Sequence, residues 1–221
     1  MPRSARIVIP GLPHHVTQRG NRRQAIFHSD EDRTAYKQLI AHYCQKSGTV
    51  CLAWCLMDNH VHLILQPPTA DALRATLAAA HTTYVQRINR LQQCDGHLFQ
   101  GRFASYPMDH AHLWVAARYV ELNPVKAGLV QRAEDWRWSS ALAHVSRKAD
   151  GLTDIAALGD YVSNWSALLA RGLEAADEHE RVESSLLRGL PFGTPEWCNE
   201  IAHAYAISLE PAKRGPKGPR Q

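Results

Sequence analysis

Residues 57–65, Met57-Asp58-Asn59-His60-Val61-His62-Leu63-Ile64-Leu65, decide how the rest of the chain is read. Asp58-Asn59 is turn chemistry, and the apolar run that follows it is strand-forming. In a strand, side chains alternate between faces, so His60 and His62 point one way while Val61 and Leu63 point the other, into a core. Two neutral imidazoles side by side are a ready bidentate site for a divalent metal; a pair of surface histidines on a half-exposed strand is the competing explanation. His110-Ala111-His112 repeats the spacing, but it reads as the start of a helix. Residues two apart there lie about 200° apart around the axis and cannot share one ion.

Outward from this hairpin, the pattern predicts strands at 49–57 and 60–66, the latter stopped by Pro67-Pro68. Residues 14–19 alternate after the Pro10-Gly11-Leu12-Pro13 turn and predict a first strand, followed by the basic loop Gly20-Asn21-Arg22-Arg23. Helical spacing predicts helices over 31–46, capped by Asp30 and ended by Gly48, and over 70–93. A glycine-punctuated loop, 96–103, leads into a fourth strand at 103–107. Strand, helix, hairpin, helix, strand is the α+β order of a ferredoxin-like fold: a four-stranded antiparallel sheet with two helices on one face. Its other face is left open for ligand, and His60 and His62 are expected to line it.

Asp109 caps a further predicted helix over 110–123, on which Tyr119 and Asn123, four apart, share a face. Pro124 disfavours a helical Asn123, so this helix is expected to stop there. The run 136–140 is expected to open a short helix, with Trp136 and Trp138 as core or interface aromatics. Helices are also expected at 152–158, 161–173, 175–187 and 195–206. The predicted organisation is a catalytic unit over 1–147, a helical C-terminal extension over 148–210, and a basic disordered tail over 211–221 rich in Pro and Gly.

The net charge of +4 conceals an asymmetry. Residues 1–23 carry five arginines and no acid, residues 211–221 carry four basic residues and no acid, and the stretch between has a net charge of −5. Basic arms on an acidic body suit a polyanionic partner. No apolar run approaches the roughly 20 residues that span a bilayer, and no signal-peptide pattern precedes the first Pro-Gly pair, so a cytoplasmic protein is expected. Five cysteines without a Cys-x-x-Cys pair imply reduced thiols filling core positions. Cys51 and Cys55, placed to share a strand face, are too few for a zinc site. Nothing in the sequence requires a membrane or an obligate protein partner.

A metal held by two histidines, a tyrosine on a neighbouring helix and basic arms suggest phosphodiester chemistry, with the ion as Lewis acid and the phenol as nucleophile. Tyr106, beside Pro107, is the nearest competitor and is better suited to packing or base stacking. A covalent phosphotyrosine keeps the energy of the broken bond for rejoining, which separates strand transfer from hydrolysis.

The stretches Pro10-Gly11-Leu12-Pro13-His14-His15-Val16-Thr17-Gln18-Arg19-Gly20-Asn21-Arg22-Arg23, 27–36, Met57-Asp58-Asn59-His60-Val61-His62, 96–103 and Tyr119-Val120-Glu121-Leu122-Asn123-Pro124-Val125-Lys126-Ala127-Gly128 together resemble the REP-associated tyrosine transposases, a branch of the HUH single-strand transposases. The resemblance covers most of residues 1–147. It implies His60 and His62 as ligands of Mg²⁺ or Mn²⁺, Asn123 as a third ligand or neighbour of the ion, and Tyr119 as the nucleophile. It implies a 5′-phosphotyrosine, a free 3′-OH, and single-stranded hairpin DNA of repetitive extragenic palindromes as substrate. Arg19, Arg22, Arg23, Arg102 and Lys126 become candidate DNA contacts, and Lys213 and Arg214 candidate non-specific phosphate contacts, because Lys213-Arg214-Gly215-Pro216-Lys217 departs from the Arg-Gly-Arg-Pro pattern common in relatives. A catalytically idle nucleic-acid-binding module and a metal-dependent nuclease using water are the alternatives.

Overall fold

Four strands form an antiparallel sheet in the order β2-β3-β1-β4, with β1 at His14–Arg19, β2 at Val50–Met57, β3 at His60–Gln66 and β4 at Ala104–Pro107. The computed structural model describes residues 7–159, 162, 164–174, 176–188, 190–206 and 208–209. The tail at 211–221, with Lys213 and Arg214, lies outside them.

Helices α1 (Asp30–Ser47) and α2 (Ala72–Gln92) cover one face of the sheet. Val61, Leu63 and Leu65 of β3 point there and pack against Tyr36, Ile40, Leu73, Leu77 and Tyr84, all fully buried. That is the alternation expected of a strand carrying its histidines on the opposite face. Ser29, not Asp30, caps α1: its hydroxyl accepts the Asp32 N–H at 3.3 Å. Asp30 enters the first helical turn, where the helix dipole favours a carboxylate.

The second face is partly closed, contrary to the expectation of an open surface. Helix α3 (Leu113–Lys126) lies over β2 and the adjoining part of β3, packing Leu113, Ala116, Ala117 and Val120 against Leu52, Ala53, Cys55, Met57 and Ile64. The β2–β3 register slips between Cys51 and Ala53. This bulge turns both Leu52 and Ala53 toward α3 and leaves Cys51 in the α1–α2 core. Cys51 and Cys55 therefore sit on opposite faces, not on one.

Helix α3 also runs past Pro124, which was expected to end it. Proline cannot supply the N–H that would bond the Val120 carbonyl. The Asn123 side-chain amide reaches that oxygen at 3.4 Å and the Tyr119 carbonyl at 2.8 Å, while the Ala127 N–H continues the ladder to the Asn123 carbonyl.

Both sheet edges are occupied, which protects them from pairing with other chains. Residues 136–140, expected to be helical, run beside β2 instead, through Leu56 N–H to Trp138 O and Ser140 N–H to Trp54 O; α4 (Ala141–Ser146) starts only after them. Asp154 donates its N–H to the Cys51 carbonyl. At the far edge Phe192 bridges to Met108 beyond β4. Between these contacts come α5 (Ala156–Gly159), α6 (Trp165–Glu174) and α7 (Ala176–Arg188), with α8 (Pro195–Ala204) following. Helices α6 and α7 pack on the outer side of α3. Gly172 meets α3 so closely that a Cβ would run into Arg118 and Leu122, and Arg118 pairs with Glu178 of α7.

Candidate active site

Strand β3 presents His60 and His62 on the face away from α1 and α2, with ring centroids 4.9 Å apart. Each ring bonds a neighbour through its Nδ1. The Asn59 amide is anchored by donating Nδ2–H to the Arg23 carbonyl at 3.1 Å, which turns its Oδ1 toward His60 Nδ1 at 2.7 Å. That oxygen only accepts, so His60 carries its proton on Nδ1 and keeps the lone pair on Nε2. His62 Nδ1 meets His15 Nε2 at 2.9 Å. Burial, with the Arg19 guanidinium nearby, pushes His60 down to about 4, against the pull of Asp58, and burial alone pushes His15 down to about 3. Both rings are therefore neutral near pH 7.

His15 is the site residue that sequence reasoning missed. It lies on β1, two positions along the strand from Thr17, which pairs with His62. Its ring is 5.1 Å from that of His62 and 5.8 Å from that of Tyr119. Tyr119 in turn stands edge-on to His62 at 5.8 Å, so α3 delivers the phenol to the histidine face. The phenol is buried, with 8% of its surface exposed. Burial and then Glu183 push its pKa up to about 12, and Arg19 opposes them. Asn123 follows one helical turn later; its two bonds to carbonyls use the amide nitrogen and leave Oδ1 as the atom a cation would take.

The basic residues distribute unevenly. Arg19 is paired across the sheet with His60 and is exposed. It lines a groove of about 440 Å³ with Thr17, Gln18, Gln100, Gly101 and Arg102. Arg22 and Arg23 sit exposed on a 3₁₀ turn, Asn21–Arg23, and both adopt left-handed backbone, φ 51° and 62°. Such strain in non-glycine residues persists only where its surroundings hold it. Gly20 lets the turn close tightly, since a Cβ there would run into the Gln24 carbonyl. Lys126 is exposed at the end of α3, about 10 Å along the axis from Tyr119, and does not line the groove. Tyr106, opposite His15 across the β1–β4 pair, has its phenol pushed up by burial. His112, the control for spacing, bonds Asp109 at 2.7 Å and packs on Phe192. Among the described residues no three His, Cys, Asp or Glu side chains are grouped to hold an ion, and no helix is long and apolar enough to cross a membrane.

A ferredoxin-like sheet with a histidine pair on one face and a helix-borne tyrosine beside it defines a class, and residues 9–123 match the model of that class, described as transposase IS200 like. The chain belongs to the IS200-like transposase family. Within it, this protein is similar to the REP-associated tyrosine transposases. A Haemophilus influenzae protein provisionally named a REP-associated tyrosine transposase is 30% identical over 122 residues, covering 50% of this chain and 67% of that one. The solved structure of a REP-associated tyrosine transposase bound to a REP hairpin shares the fold, with a TM-score of 0.57 at 22% identity over 70% of this chain and 90% of its own. A Deinococcus radiodurans protein provisionally named a transposase superposes more loosely, with a TM-score of 0.39 at 18% identity over 54% of this chain and 96% of its own.

Proposed function

We propose that this transposase cleaves and rejoins single-stranded hairpin DNA of the REP type through a covalent bond to Tyr119. The observation that carries this reading is the Tyr119 ring standing 5.8 Å from that of His62, on the face that also bears His60 and Arg19. The hairpin bound to the solved REP-associated relative supports the choice of substrate.

Mg²⁺ or Mn²⁺ fits the donor set, because His60 is neutral with its lone pair on Nε2. His60 and His62 would hold the ion, with Asn123 Oδ1 as third protein ligand; once bound it supplies Lewis acidity toward a phosphate oxygen. The remaining steps belong to the chain. Arg19 and Arg102 hold the DNA backbone in the groove between them, with Arg22 and Arg23 extending the basic surface. The positive charge of Arg19 offsets part of the burial that keeps the phenol protonated. Tyr119 Oη attacks phosphorus, the bond from phosphorus to the 3′-oxygen breaks, and the phenolic proton ends on the departing 3′-OH. Attack by a 3′-OH on the phosphotyrosine reverses the step and returns the proton to Tyr119.

The test is incubation of the full chain with labelled hairpin DNA and Mg²⁺, followed by denaturing electrophoresis. A covalent adduct is expected with the wild type and none with Tyr119→Phe. Cleavage persisting in that variant would instead make water the nucleophile, and binding without cleavage in the wild type would leave only a binding module.

A further inference from the structure

On the reading that the groove of Arg19 and Arg102 is the path of the DNA, we infer that Tyr106 is a stacking platform for an unpaired base of that DNA. Helix α3 packs over β2 and the adjoining part of β3, so β1 and β4 continue the histidine face beyond it. Residues paired directly across antiparallel strands point to the same side of a sheet. Thr17 pairs with His62 on one side and with Ala104 on the other; the next pair along that face is His15 with Tyr106. Burial follows the same alternation, since Ala104 and Tyr106 are half-buried while Ser105 and Pro107 are buried. Thr17 and Ala104 already line the groove of Arg19 and Arg102. Their short side chains make a low floor, and Tyr106 is the first large side chain of β4 that a strand of DNA leaving the groove over this floor meets.

The fold makes little use of this side chain. Among the described residues the Tyr106 ring joins neither hydrophobic cluster and makes no ring contact, and its hydroxyl bonds no partner. Tyr36 and Tyr84, by contrast, are fully buried and hydrogen-bonded. An uncommitted aromatic ring beside a cationic groove is how proteins hold single-stranded nucleic acid: cations track the backbone, and the ring takes a base through the π-face that every base has. Tyr106 stands opposite His15, whose ring is 5.8 Å from that of Tyr119. The base seated on Tyr106 therefore belongs to a nucleotide close to the phosphate that Tyr119 attacks.

Fluorescence anisotropy tests this on the full chain carrying Tyr119→Phe, which forms no covalent product, with a labelled REP-type hairpin that has an unpaired flank. Adding Tyr106→Leu keeps apolar bulk without a π-face and is expected to weaken binding about 10-fold, the scale of one lost base stack. Tyr106→Phe keeps the ring and is expected to bind like the parent. Circular dichroism checks that each variant folds. A folded Tyr106→Leu protein with parental affinity overturns the platform, and so does a Tyr106→Phe protein as weak as Tyr106→Leu, which would make the hydroxyl the contact. Photo-crosslinking of the same chain to 5-bromouracil, placed in turn at each unpaired position, needs no substitution at Tyr106. A crosslink mapped to Tyr106 by mass spectrometry is expected from one position; crosslinks only to other residues overturn the inference. None of these outcomes bears on the Tyr119 adduct. A wild type that forms no adduct, in a protein whose Tyr106→Leu variant loses affinity, sinks the proposed reaction and keeps the platform.

Discussion

The Asn123 side-chain amide donates to the carbonyl of Tyr119 at 2.8 Å and to that of Val120 at 3.4 Å, filling a place in the helix that Pro124 leaves without a donor. Asn123 thereby supports the turn of α3 that carries Tyr119. Asn123→Ala is expected to cost about 1 kcal/mol of stability, the net worth of such a bond. Restoring a backbone donor with Pro124→Ala in the same chain should recover most of that loss. Urea unfolding of the two single variants and the double variant checks this. Strict additivity would show that the amide does not replace the proline's missing N–H.

The histidine strand was legible because period-two alternation fixes faces without tertiary information. Val61, Leu63 and Leu65 had to be covered, so His60 and His62 had to face away. The shared helix face of Tyr119 and Asn123 was legible from their four-residue spacing, whereas the roles proposed for them rest on the family resemblance. His15 was not, although His14-His15 stood in plain view, because choosing between the two requires the register of β1 against β3. His14 turned out to serve the turn, accepting the Ile9 N–H and bonding the Leu12 carbonyl, while His15 faces His62. A signal was present: the antiparallel pairing of β1 with β3 expected of this fold, counted back from Arg19 opposite His60, brings His15 to the site face. The bulge at β2 had no such signal, since Leu52 and Ala53 suit either face, and its consequence for Cys51 depends on how α3 packs.

A fully buried carboxylate joins α3 to the C-terminal helices. Glu121 accepts Ser140 Oγ–H at 2.5 Å and Trp165 Nε1–H at 2.6 Å, and bonds His144 Nδ1 at 2.6 Å. Trp165→Phe keeps the ring's apolar bulk but deletes one donor to a group with no access to water. A loss of about 2 kcal/mol is expected, the usual scale for a hydrogen bond to a charged partner. Thermal or urea unfolding reads it, and amide exchange should rise in α6 ahead of the sheet. A variant as stable as the wild type would mean that the carboxylate is satisfied without Trp165.

Asp150 ties the segment after α4 to the first core. Its carboxylate accepts Trp54 Nε1–H at 2.9 Å and the Leu152 and Thr153 N–H groups, and it pairs with Lys37. Burial pushes this carboxyl up, but the Thr153 and Leu152 N–H groups, the Lys37 ammonium and the Thr153 hydroxyl outweigh it and hold it below the usual carboxylate value. A folded-state pKa below the unfolded one stabilises at pH values above the unfolded pKa, and that stabilisation is lost as pH falls through the folded one. The stability difference between wild type and Asp150→Asn should therefore be constant above about pH 5 and shrink below about pH 4. Urea midpoints measured across that range check it; a difference that grew on acidification would reverse the sign of the linkage.

Arg19 and Arg102 line one groove beside the histidine face, and Arg102 is exposed without touching the histidines' hydrogen-bond network. Its contribution to DNA binding should be that of a phosphate contact, sequence-independent and screened by salt. Each single-strand phosphate contact adds about 0.7 to the slope of log affinity against log salt. Arg102→Ala is expected to reduce the slope by that amount and to weaken binding of hairpin DNA at low salt, while wild type and variant converge as salt rises. Fluorescence anisotropy of labelled hairpin DNA across a salt series measures both quantities. An unchanged slope with weakened affinity would instead mark Arg102 as a base contact, and an unchanged affinity would remove the groove from the DNA path.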